Sequence, residues 1–147
     1  MSRPLPPFLQ LQHLVRIELR DALTGLDLTP VQSTVLHLVA ATPGISSAEL
    51  ARDTHVTPQT MHKIVTELAR RDLVELLPRR GHGRILGAEL TEPGRKLMAD
   101  ADVVAQAIED RMVAGLDGRQ RRQLANLLQH CVTAISGPPG TRPPAST

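Results

Sequence analysis

The chain is predicted to be mainly α with a small β-hairpin wing (α+β): a winged helix-turn-helix, dimerised through its N- and C-terminal helices. Three observations carry this prediction. Capping residues, often followed by proline, mark a series of helix starts. One helix sets an apolar face against a polar, basic one. A glycine- and arginine-rich turn joins two short apolar runs.

Taken in order, residues 1–7 are proline-rich and expected to form a flexible arm. Phe8 to about Leu23 has a helical stripe of Phe8, Leu11, Val15, Leu19 and Ala22. Leu14 and Ile17 widen its apolar surface, so this helix wants two packing partners. Thr29-Pro30-Val31-Gln32 starts a second helix with a capping box and a first-turn proline. Val31, Val35, Leu38 and Val39 are its buried stripe, and Pro43-Gly44 stops it. Ser46-Ser47-Ala48-Glu49 is a second box. It opens a short helix, roughly Ser47–Asp53, with Leu50 and Ala51 inward. After the turn Thr54-His55-Val56, Thr57-Pro58 starts a helix reaching about Arg71.

That helix is the most informative segment. Met61, Ile64, Val65 and Leu68 share one face, and Gln59, Lys63, Thr66 and Arg70 the other. Leu73–Leu77 and Ile85–Leu90 read as strands joined by Pro78-Arg79-Arg80-Gly81-His82-Gly83-Arg84, a hairpin with a basic tip. Thr91 caps a long helix, about Glu92–Gly115, striped by Leu97, Ala101, Val104, Ile108 and Met112. Asp117-Gly118-Arg119-Gln120 starts the last helix, with Leu124, Leu127, Leu128, Cys131 and Ile135 on one side and Gly137 as its cap. Residues 137–147 read as a disordered tail. The domain boundaries are therefore 8–136 for one domain, with 29–91 as the winged helix-turn-helix and 8–24 and 99–136 as dimerisation helices.

Charge is distributed unevenly. From His55 to Arg84 six basic residues face three acidic ones; from Ala99 to Gly118 five acids face Arg111 alone. One part of the molecule suits a polyanion and another does not. Phe8 is the only aromatic residue, which disfavours single strands, whose bases stack on aromatic side chains. Duplex DNA is read from its grooves and needs no such platform. The N-terminus lacks a signal-peptide core, no apolar run approaches a membrane span, and a single cysteine forms no internal disulfide. A cytoplasmic location is expected.

These features give duplex-contact candidates. Thr57, Pro58, Gln59, Thr60, His62, Lys63 and Thr66 lie on the reading helix; glutamine suits adenine and lysine guanine. Ser46 and Ser47, at a helix N-terminus, suit a phosphate. Arg79, Arg80 and Arg84 stud the wing and suit the minor groove or phosphates. A solvated helix face is the bland reading of the charges, and Arg70 and Arg71, late on the helix, are weaker candidates. Pooling the apolar surface of the first and last helices between two chains buries it. It also spaces two reading helices for half-sites about 34 Å apart.

Residues 28–36, LTPVQSTVL, resemble the start of the second helix in the MarR (multiple antibiotic resistance regulator) family. SSAELARDTHVTPQTMHKIVTELARRDLV, residues 46–74, is similar to that family's helix-turn-helix and strand entry, and ELTEPGRKLM, residues 89–98, to its post-wing motif. The resemblance covers about Leu9–Ile135. It implies a homodimer on a pseudo-palindromic operator, usually repressing, and released by a small, often anionic or phenolic, molecule. It places effectors where the first two helices meet the fifth, which nominates His13, Arg16 and His37; surface charge or an interfacial salt bridge is the simpler reading of each. The chain departs from the family at the wing, where His82-Gly83-Arg84 stands in place of Asp-Arg-Arg. It also lacks the N-terminal cysteine of peroxide-sensing members.

Two functions follow. The first is a sequence-specific duplex-binding transcriptional regulator, a repressor released by an effector. The alternative is a winged-helix protein-interaction module, which would expose a more apolar face on its reading helix. No enzyme is expected: there is no phosphate loop, no catalytic triad order and no metal cluster, and no cofactor is called for. His130-Cys131 point about 100° apart and do not converge on a metal. A metal site shared across two subunits stays open, as do the operator, the effector and the choice between repressor and activator.

Overall fold

The computed structural model describes residues 6–81 and 83–136. The expected arm lies mostly outside them, as do His82, the cap at Gly137 and the tail. The chain divides into two compact units, residues 1–108 and 109–147.

In the first unit, α1 (Pro7–Thr24) is followed by α2 (Pro30–Ala41), β1 (Ile45–Ser46), α3 (Ser47–Thr54), α4 (Pro58–Arg70), β2 (Val74–Pro78) and β3 (Leu86–Leu90). α5 (Glu92–Met112) begins in this unit. The boundaries match expectation within a few residues because the caps form as written. Thr29 and Gln32 exchange side-chain and backbone bonds, at 3.2 and 2.9 Å, and Ser46 and Glu49 do the same at 3.2 and 2.8 Å. Thr57 accepts from the Thr60 N–H at 3.2 Å. Each such cap satisfies N–H groups that a helix start leaves orphaned, and its loss costs about 0.5–2 kcal/mol.

The core gathers Leu23, Leu28, Val35, Leu36, Val39, Leu50, Met61, Val65, Leu68, Leu73, Val74 and Ala101. On α1 the expected stripe is only half used. Val15, Leu19 and Ala22 are half-buried and Leu23 is fully buried, whereas Phe8, Leu11 and Leu14 face solvent in the single chain.

The sheet has three strands rather than the two of a simple hairpin. Its order is β1-β3-β2, all antiparallel, with Ile45 opposite Ala88 and Ser46 opposite Gly87. Two residues are too few to show a period, so β1 was invisible in the sequence. Two glycines make the packing possible. A Cβ at Gly87 would strike the Gly44 carbonyl, and one at Gly94 would strike the Leu73 carbonyl. Gly94 is the glycine of the post-wing ELTEPG segment. It lets α5 start against the entry to β2, where the Thr91 hydroxyl accepts from the Gly94 N–H at 3.1 Å and donates to the Asp72 carbonyl.

In the second unit, α6 (Gly118–Ser136) starts with the expected box, Asp117 and Gln120 exchanging bonds of 2.9 and 3.0 Å. None of its residues is buried in the single chain. Leu127, Leu128, Val132 and Ile135 are exposed, and so is Cys131.

Candidate nucleic-acid interface

The site is built on α3, the turn and α4. His55 takes a left-handed conformation (φ 57°) at the end of α3, and the Val56 N–H returns to the Ala51 carbonyl at 3.1 Å. The chain thus reverses within three residues, and Thr57 caps α4 at once. Met61, Val65 and Leu68 then point into the core and are fully or almost fully buried, with Ile64 half-buried. That fixes the rotation of the helix. Pro58, Gln59, Thr60, His62, Lys63, Thr66 and Arg70 are all exposed on the other side. The Thr57 hydroxyl donates to the Thr60 hydroxyl at 2.9 Å.

The late cations of α4 are occupied. Arg70 makes a two-pronged pair with Glu67, at 2.9 and 2.7 Å, and this holds the Glu67 carboxyl below the usual carboxylate range. Arg71 donates to the Asp27 carbonyl at 2.8 Å. Among the described residues, Lys63 is therefore the exposed cation of α4 that carries no such bond.

On the wing, the Arg79 N–H donates to the Ile85 carbonyl at 2.9 Å and closes the last rung before the tip. Gly81 and Gly83, at φ 76° and 63°, take left-handed backbone that other residues adopt with strain. Arg80 and Arg84 are exposed. Arg79 is not presented with them: its guanidinium pairs with Glu49 at 2.9 Å. Ser46 is also committed inward. It is only 7% exposed, and both its N–H and its hydroxyl oxygen serve the capping box. Ser47 is half-buried beside it. A groove of about 260 Å³ separates α4 from the wing, floored by Val65, Leu76 and Ala88 and rimmed by His62, Thr66 and Ser47.

The effector candidates are not brought into one cluster by any bond. His13 and Arg16 are exposed on α1. His37 bridges two helices: Nδ1 lies 2.7 Å from the Ser33 carbonyl and Nε2 lies 2.6 Å from Asp102 Oδ1 on α5. Partial burial alone would lower its pKa; the two oxygens outweigh that and raise it. Both ring nitrogens face acceptors, an arrangement that suits the doubly protonated ring. Glu49 as a wing contact and Asp102 as a histidine partner were missed from the sequence. Each lies 30 or more residues from its partner, and no local pattern reports such a pair.

Chemically, this surface offers amide, hydroxyl, imidazole and ammonium groups on a helix, flanked by two exposed guanidinium groups. It can donate and accept in a major groove while gripping an anionic backbone.

Comparison with known proteins agrees. The family model described as "MarR family" matches residues 26–85. The HTH-type transcriptional repressor Rv2887 of Mycobacterium tuberculosis is 36% identical over 116 residues, spanning 79% of this chain and 84% of that protein. The crystal structure of the same M. tuberculosis protein in complex with DNA superposes with a TM-score of 0.74, at 32% identity over 88% of this chain and 98% of the other. Its complex with salicylic acid gives 0.70, at 34% identity over 88% and 97%.

Proposed function

The chain belongs to the MarR family, and from that premise we propose that it is a transcriptional repressor that binds a pseudo-palindromic duplex as a homodimer and is released by a small anionic or phenolic molecule. One observation carries the reading: the buried Met61, Val65 and Leu68 lock α4 so that Gln59, Thr60, His62, Lys63 and Thr66 face outward together. Gln59 and Lys63 read base edges, with Thr57, Pro58, Thr60, His62 and Thr66 supporting them along the groove. Arg80 and Arg84 hold the minor groove or its phosphates. Ser47, at the start of α3, is the phosphate contact on the helix-turn-helix side.

The exposed apolar residues of α1 and α6 support the dimer, since Phe8, Leu14, Leu127, Val132 and Ile135 are too many for water to be their resting partner. The effector reading is supported by the relative solved with salicylic acid. Among the basic residues of the first two helices, Arg16 is the candidate to meet a carboxylate, with His13 and His37 as the neighbouring ring candidates, His37 only by giving up its bond to Asp102. The protein-interaction alternative fares worse, because the outward face of α4 holds no large apolar side chain. A transcriptional regulator of this family is a binding protein rather than an enzyme. Among the described residues, no helix is long and apolar enough to cross a membrane.

Genomic duplex fragments selected on the purified protein test the reading. A selected fragment should form a dimer-sized complex, and its affinity should fall ~10³–10⁵-fold between about 50 and 200 mM salt, as expected when ~6–10 phosphates are neutralised. Salicylate should release it. Failure to enrich any fragment, or binding indifferent to salt, contradicts the proposal.

A further inference from the structure

We propose that Glu49 and Arg79 form a strut that sets the wing against the helix-turn-helix, which makes Glu49 a positioning residue for duplex binding and Arg79 an internal cation rather than a phosphate ligand. The inference rests on the duplex-binding reading above. Arg79 is the residue from which the tip departs, held by the rung from its N–H to the Ile85 carbonyl. Its Nη1 donates to Glu49 Oε2 at 2.9 Å, and the same oxygen accepts the Ser46 N–H at 2.8 Å. Ser46 stands opposite Gly87 in the β1–β3 ladder. One carboxylate therefore ties together the start of α3, the sheet edge and the root of the wing.

The pair, between α3 and the root of the wing, is more sheltered than the Glu67–Arg70 pair of α4 and the Lys96–Asp100 pair of α5. The side chains of Arg79 and Glu49 are 27% and 34% exposed, against 71% and 41% for Arg70 and Glu67 and 80% and 47% for Lys96 and Asp100. The bonds from Ser46, then the charge of Arg79, hold the Glu49 carboxyl below the usual carboxylate range, so it stays ionised near neutral pH. A cation already neutralised by a carboxylate does not neutralise a phosphate, so it releases none of the counterions condensed on DNA. A strut and a phosphate ligand therefore differ in salt dependence, not only in affinity.

Glu49→Gln is the informative variant because glutamine also completes a capping box, so α3 keeps its start while the ion pair is lost. Arg79→Met keeps the aliphatic stem. The probe is a labelled random-sequence duplex of about 30 base pairs, titrated at several salt concentrations by wild type, both single variants, the double variant and Arg84→Ala. Each single variant should weaken binding about three- to tenfold, and the double variant no further, because the two residues act as one unit. The slope of log affinity against log salt should stay at the wild-type value in all three, whereas Arg84→Ala should flatten it by roughly 0.9 per protomer. The proposal is overturned if Arg79→Met flattens the slope as Arg84→Ala does, or if Glu49→Gln binds as tightly as wild type or tighter. Should Arg79→Met fail to fold by its melting curve, Glu49→Gln alone decides by the same criteria. Wild type that retains no duplex at low salt removes the duplex-binding reading and this proposal with it; a flattened slope with wild-type binding intact removes only the strut.

Discussion

Gln59 and Arg84 are both exposed polar residues of the interface, yet they are assigned different work. Gln59 stands in the first turn of α4, where we propose that its amide meets a base edge; Arg84 stands at the wing, where we propose that its charge meets phosphates or a narrow minor groove. Gln59→Ala should cost about 1–3 kcal/mol on the selected site and relax preference at particular base pairs, with random duplex bound as before. Arg84→Ala should weaken binding to every sequence. Competition binding against single-base variants of the site separates the two, and equal losses on all sequences for both variants would contradict the assignment. Gly94 is a residue-scale constraint of another kind. Because its missing Cβ leaves room for the Leu73 carbonyl, backbone against backbone, Gly94→Ala has no flexible side chain to displace. It should lower stability by about 1–3 kcal/mol in urea unfolding. An unchanged midpoint would mean that the α5 start is not so tightly seated.

At the scale of elements, α2 and α5 are joined through His37 and Asp102. The pKa of His37 is raised above 6.5 in the folded chain. The pair's contribution is therefore fully present below the unfolded pKa of about 6.5 and is lost as pH rises through the folded value. Both side chains are about half exposed, so the effect is modest. Thermal melts on either side of neutrality should show wild type losing stability relative to Asp102→Asn as pH rises. Parallel pH profiles for the two proteins would rule the pair out as a contributor.

The elements themselves were largely legible in the sequence. Thr29, Ser46, Thr57 and Asp117 each announce a helix start by side-chain chemistry acting over three residues, which is the range a sequence displays directly. The rotation of α4 was legible for the same reason: Met61, Val65 and Leu68 repeat at helical spacing. What escaped was set by contacts distant in the chain. β1 is defined by its pairing with β3 and not by its own two residues. The inward turns of Arg79 and Ser46 depend on Glu49, and the commitment of Arg71 depends on Asp27, 44 residues away. A basic residue in a turn looks available until its partner is seen.

At the scale of the molecule, the proposed dimer covers the apolar faces of α1 and α6 that the single chain leaves exposed, and it would place two reading helices on one duplex. Phe8 is 59% exposed and Ile135 84% in the single chain. Two charges in these faces, for example Leu14→Glu with Leu128→Glu, should convert the protein to a monomer in sedimentation. Affinity for a palindromic site should fall by far more than Gln59→Ala lowers it, because each half-site then binds alone. A double variant that stays dimeric would place the interface elsewhere. The most direct test of the account is a footprint of the protein on its selected duplex. Two protected patches should appear on successive turns, centred about 10–10.5 base pairs or a multiple apart, and both should fade together in Gln59→Ala with Lys63→Ala. A single patch, or two patches indifferent to those substitutions, would contradict the claim that paired α4 helices read the groove.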